Sequence, residues 1–298
     1  MSKCDLRIVF DRADRAFRGG DEVSGTVYVE VNQDVECNGI VVERFWQTHG
    51  RGNTATGPRQ SSVVYRGTLR AGQSLEYPFR FTAPDGPPTY HGRYLNVDHY
   101  VAVRVDIPWA IDPKQKEEYV LMPGGRQYGN LPKSVGGTPQ AGAAMVGLSA
   151  PIGMAIIGLG VFLFPPCGLV LVPVGLVLVA FGLRKLLAEK KIGKVRVFWG
   201  NPIAAPGASL PLRLVFTPRQ SSRLNQITAK LVGQERCVSG SGTNRTTHTH
   251  KFYERTTVVA PECEVVVGRP IQLNAQVPVP QMAAYSFHAS DNELSWEL

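Results

Sequence analysis

Residues 20–31 read GDEVSGTVYVEV. The stretch opens on a glycine turn and continues as an alternation, with Val23, Thr26, Tyr28 and Glu30 read out of phase with their apolar neighbours. Period two marks a strand with one buried and one solvated face, because successive side chains of an extended chain point to opposite sides. The pattern runs outward in both directions. LRIVF (6–10) precedes it, and NGIVVERFWQTH (38–49), SSVVYRG (61–67), SLEYPFRFTAP (74–84) and HYVAVRVDIPWAI (99–111) follow. Short alternating strands separated by Gly, Pro and Asp turns predict an antiparallel β-sandwich.

The same order returns near the end of the chain. GKVRVFWG (193–200) opens it. FRGGDEVSGTVYVEV is echoed by AAPGASLPLRLVFTP (204–218), and NGIVVERFWQTHGRG by NQITAKLVGQERCVSGSGT (225–243). TLRAGQSLEYPFRFTAPDGPPTYHG is echoed by EVVVGRPIQLNAQVPVPQMAAYS (264–286). A repeat of roughly 100 residues is a domain duplication and not a solenoid.

Between the two copies lies a segment of another kind. No charge occurs from Ser134 to Leu183, and FLFPPCGLVLVPVGLVLVAFGL occupies 162–183. About 20 apolar helical residues span a hydrocarbon core of about 30 Å, and Ala141–Phe164 supplies 24 uncharged residues. Pro165, Pro166, Cys167 and Gly168 interrupt the run. Two prolines end a helix and the glycine allows a reversal, so the segment predicts a helical hairpin across a membrane, turning at those four residues. A re-entrant hairpin and a buried core hairpin are the competing readings.

The 298 residues carry a net charge of +8, unevenly distributed. Residues 1–140 hold 17 basic and 16 acidic side chains, and the remainder holds 15 and 8. Arg184, Lys185, Lys190, Lys191, Lys194 and Arg196 follow the apolar run, opposed only by Glu189. Such a cluster favours contact with anionic lipid headgroups at a membrane surface, and by the positive-inside rule it places both flanking lobes in the cytoplasm. No nucleic-acid-binding motif accompanies it, so no nucleic acid is expected. Five cysteines without a CxxC spacing argue against a disulfide framework and a zinc site. The charged opening MSKCDLRIVFDRADR is not a secretory signal, although Asn244-Arg245-Thr246 forms a glycosylation sequon, a triplet common by chance.

Four stretches then carry a family likeness: Gly20–Val27, GQSLEYPFRFTAP (72–84), GRYLNVDHYVAV (92–103) with Ile107-Pro108-Trp109, and Tyr285-Ser286 before Asp291-Asn292-Glu293-Leu294. In this order they resemble the arrestin family, the α-arrestin branch most closely, over about 1–122 and 193–298. The resemblance implies all-β architecture: two tandem antiparallel immunoglobulin-like sandwiches, here joined by the α-helical membrane hairpin. The expected organisation is an N-terminal sandwich over 1–122, a linker over 123–140, the hairpin over 141–187 and a C-terminal sandwich over 188–298. The family's amphipathic helix has no counterpart before Tyr77. Lobe comparison leaves the second sandwich short of a last strand, since it stops at Trp296-Glu297-Leu298 where the first continues through VDIPWAIDPKQKEEYVL. No buried charged core, tail or coat-binding motif is carried over.

Chemistry-bearing motifs are sparse. Pro87-Pro88-Thr89-Tyr90 matches the PPxY ligand of WW domains, but its place between strands favours a turn. His248 and His250 alternate with threonines and share one strand face, which is a weak metal signal without a third ligand. His91, Asp98 and His99 flank a strand entry and assemble no nucleophile–base set by spacing. Asp11, Asp14, Asp21 and Glu22 are interleaved with Arg12, Arg15 and Arg18, which reads as a solvated loop. No catalytic, cofactor or metal residue is expected. The sequence predicts a non-catalytic, membrane-anchored adaptor or scaffold that binds cytoplasmic parts of a membrane protein, partly by strand addition. The alternative is a self-associating, homo-oligomeric structural or membrane-shaping protein.

Overall fold

Val23, Val27, Val29 and Val31 all point into one core and are at most 3% exposed. Val23 therefore lies in phase with the valines and not with Thr26, Tyr28 and Glu30. Gly25 shares that inward face because a Cβ there would lie 2.2 Å from the Val9 carbonyl oxygen and 2.7 Å from the Phe79 ring. The computed structural model describes residues 2–124, 191–199, 206–282 and 284–298.

The described chain is all-β, as the strand pattern predicts. Its first nine strands are β1 (Cys4–Phe10), β2 (Ala16–Arg18), β3 (Glu22–Val31), β4 (Val35–Gly50), β5 (Gln60–Leu69), β6 (Ser74–Thr82), β7 (Tyr90–His91), β8 (Leu95–Asp106) and β9 (Lys114–Met122). Nine more follow: β10 (Arg196–Trp199), β11 (Ser209–Phe216), β12 (Ser222–Leu224), β13 (Ile227–Ser239), β14 (Thr246–Ala260), β15 (Cys263–Val265), β16 (Ile271–Pro278), β17 (Phe287–Ala289) and β18 (Asn292–Glu297).

These strands form two compact units. Of the described residues, one unit holds 2–124, 232–254, 282 and 284–296, and the other holds 191–199, 206–231, 255–281 and 297–298. In the first unit the sheet β1-β3-β6 faces the sheet β2-β9-β8-β4-β5. Ile8 sits opposite Val27, and Phe79 opposite Gly25, so three strands feed one face. The facing sheet contributes Ile40, Val42, Val101, Val103 and Leu121 to the same core. Burial of each such side chain contributes about 1.5–3 kcal/mol. A register shift after Cys37 moves the inward phase of β4 from odd to even positions, from Cys37 to Ile40 and Val42. A β-bulge does this by inserting one extra residue.

A second core of this unit gathers Leu95, Val97, Cys237, Ala284, Phe287 and Leu294, with Trp46, Tyr94, Phe252 and Trp296 packed around it. It draws on β8, on the later part of β13, and on β17 and β18. The other unit contains the sheet β10-β11-β16 and the pair β12-β15. Leu212, Phe216 and Val277 are buried on the inner face of its larger sheet.

The helical hairpin expected over 141–187, with its turn at Pro165, Pro166, Cys167 and Gly168, lies outside the described residues, and nothing in the structure supports it. The assignment as an integral membrane protein with both lobes facing the cytoplasm is corrected. Among the described residues no helix is long and apolar enough to cross a membrane. Many of their apolar side chains are instead buried in cores between strands.

Candidate functional site

The first unit gathers most of its buried polar chemistry around residues 90–98. β13 explains one member. Its inward positions are Ala229, Leu231, Gly233, Glu235 and Cys237, a strict period-two row that places a carboxylate in core phase. Glu235 is 1% exposed. Its Oε1 accepts hydrogen bonds from the Tyr90 hydroxyl at 2.8 Å and the Arg93 amide at 3.1 Å, and its Oε2 accepts one from the Tyr94 amide at 2.7 Å. Buried charge is tolerated only when its oxygens are satisfied, and here three neutral donors satisfy them. Gly92 is dictated by this approach, since a Cβ would stand 2.0 Å from Glu235 Oε1. Burial, then the bond to Glu235, holds the Tyr90 hydroxyl well above its ordinary pKa. Burial, then the Glu235 charge, raises the Cys237 thiol to about 11, so it is not a reactive thiolate.

Asp98 on β8 is the second buried carboxylate, 7% exposed. His91 Nε2 reaches its Oδ1 at 2.5 Å, and His49 Nε2 bonds its Oδ2. The adjacent residue, His99, points the opposite way into the core. Its Nε2–H donates to the Pro87 carbonyl at 2.8 Å. Burial lowers its pKa to about 4, against the opposing pull of the Pro87 bond. His99 is therefore neutral near pH 7.

Tyr94 is ringed by basic groups. Arg51 lies 4.7 Å and Arg93 5.6 Å from its ring centroid, and the rings of His250 and His248 lie at 5.6 and 6.3 Å. Ser239 Oγ is 3.0 Å from His248 Nε2. A serine–histidine pair becomes a nucleophile when a third group orients the base, and no carboxylate bond to His248 is found among the described residues. Farther along, Asn292 donates to Thr48 Oγ1 at 3.1 Å, Asn53 O at 2.7 Å and Ser290 O at 3.1 Å. Asn53 in turn bonds Asp291 and both backbone groups of Gly240. These polar groups fasten the 50–56 loop and the 90–95 turn to the strands from the second half of the sequence.

The expected site residues fall as follows. Lys191, Lys194 and Arg196 are exposed. Arg184, Lys185 and Lys190 lie outside the described residues, with the four hairpin-turn residues. Pro87-Pro88-Thr89-Tyr90 is built into the sheet: Thr89 exchanges bonds with Leu121, and Tyr90 is held by β8 and Glu235. His248 and His250 share one face of β14, half-buried against Tyr94. Arg12 pairs with Asp14 and Asp21, and no group of three metal-ligating side chains occurs among the described residues. His49 and Glu235 escaped the reading of motifs, and Asn292 entered it only as part of the Asp291–Leu294 family stretch, with no role assigned. Only Glu235 left a signal, as an acid in the apolar phase of a strand.

No family model matches the chain, and no curated protein matches its sequence. Among solved structures, the sporulation control protein Spo0M from Bacillus subtilis is similar to it, with a TM-score of 0.35 and 14% identity, over 73% of this chain and 68% of that one. A likeness of that size carries no argument about function.

Proposed function

We propose that this chain is a non-catalytic adaptor of arrestin-like build that binds polypeptide partners through the β8–β9 tip. The observation that carries the reading is Trp109, which stands fully exposed there with Ile111. The tip is closed. The Ile107 amide donates to Asp112 Oδ1 at 3.0 Å, the Val105 amide to Pro113 O at 3.0 Å, and the Ala110 amide to Ile107 O at 3.4 Å. Arg104 lies 3.7 Å from Asp106 and 3.5 Å from Asp112. Ile107, buried, anchors the base. Trp109 adopts φ 58°, a left-handed conformation that a bulky residue enters at a cost. The closed tip fixes the backbone that carries the indole outward, so part of the ordering cost of binding is met before the partner arrives.

The buried carboxylates and histidines support this reading from the other side. They are engaged in holding the first unit together, which leaves recognition to surface groups. Lys191, Lys194 and Arg196 add an exposed basic patch for an anionic partner surface. The test is chemical crosslinking in cells, followed by purification of the tagged chain and mass spectrometry, beside a Trp109→Ser/Ile111→Ser variant. The expected result is a specific polypeptide recovered with the parent chain and lost with the variant. Equal recovery by both would remove the tip from recognition.

A further inference from the structure

A β-sheet edge offers unpaired N–H and C=O groups, and proteins blunt it with charge, proline, bulges or brevity. Nearly every described edge here carries such a device. β1 has Asp5 and Arg7, β6 has Pro78 in its middle, and β5 has Gly67 and an irregular register. β14 has Lys251, Glu254 and Arg255. β2, β10, β12, β15 and β17 have four residues or fewer.

β16 has none of these. It reads IQLNAQVP, eight residues without charge or glycine, with its proline at the last position. It pairs with β11 in unbroken register from Ile271 to Pro278 and, among the described residues, ends its sheet. Gln272, Asn274 and Gln276 are exposed on its outer face, while Ile271, Leu273 and Ala275 stay only half-buried on the inner one.

We propose that two copies of this chain pair antiparallel through β16, about a two-fold axis at Asn274. The sequence is self-complementary in that register. Ile271 meets Val277, Gln272 meets Gln276, Leu273 meets Ala275 and Asn274 meets its own mate, because a two-fold interface places residue i against j and j against i. The outer face becomes a carboxamide ladder, and the half-covered inner residues gain apolar neighbours. Arg213 prepares the ladder: it donates to Gln272 Oε1 at 2.8 Å, which leaves the Gln272 amide nitrogen free to donate to Gln276 of the mate. The two Arg213 side chains stand three strand spacings apart, about 14 Å, beyond the screening length of about 8 Å at physiological salt. The result is one continuous six-stranded sheet.

The inference is independent of the adaptor reading. It is tested by sedimentation velocity of the full chain in mild detergent, with Asn274→Lys, Asn274→Glu and an equimolar mixture of the two. The expected masses are two chains for the parent, one chain for each variant, and two again for the mixture, where Lys meets Glu. Recovery in the mixture also shows that both variants fold. A parent that sediments as one chain overturns the proposal and leaves the edge to a foreign strand. A two-chain mass retained by Asn274→Lys overturns it too, by placing the contact elsewhere. Either outcome leaves tip-dependent crosslinking untouched.

Discussion

Glu235 is the residue on which the first unit's polar architecture turns. Replacing it with Ala leaves a hydroxyl and two amides without an acceptor and removes a buried charge that ordered them. The expected loss is about 3 kcal/mol, read as a lower urea midpoint, with Glu235→Gln recovering part of it by keeping one carbonyl oxygen. His99 sets a pH response of its own. Its pKa is about 4 in the fold against 6.5 in the unfolded chain. Between those values the unfolded state takes up a proton that the folded state refuses. Stability contributed by neutral His99 is therefore complete above pH 6.5 and falls as pH drops toward 4, by about 3 kcal/mol in all. Urea midpoints measured across this window should slope for the parent chain and flatten for His99→Gln. Trp109 is the opposite kind of residue. Trp109→Gly relieves the left-handed backbone and should raise stability by about 1 kcal/mol, while abolishing partner capture.

At the scale of elements, the strands were legible because period two survives wherever one face is buried. β3 is the plain case: Val27→Ala removes the equivalent of two methylenes from a closed core and should cost about 2 kcal/mol in a denaturation curve. β4 shows where legibility stopped. Its inward phase slips at the bulge, so periodicity alone could not say that Ile40 and Val42 face inward while Val41 does not. The 90–98 cluster was hidden for a different reason. His49, His91, Asp98 and Glu235 come from four separate strands, and only the register between β4, β7 and β8 and the packing of β13 bring them together. PPxY illustrates the converse. A linear motif fits the letters, yet the sheet has already taken up its tyrosine.

At the scale of the molecule, the described chain is built as sandwich cores in two units, the first of which recruits strands from both halves of the sequence. This is why a boundary drawn along the chain describes it poorly: residues 232–254 and 284–296 belong with 2–124. The apolar run over 141–183 predicts a membrane hairpin from its length and its absence of charge. The described residues give that placement no support. What they present outward at the β8–β9 connection is a closed tip carrying an indole. The most direct test puts a photo-crosslinking residue at position 111, beside an intact Trp109, and irradiates living cells. The account expects a discrete adduct with a foreign polypeptide, its mass shift lost when Trp109→Ser is added. Adducts that are absent, or unchanged by that substitution, would contradict it.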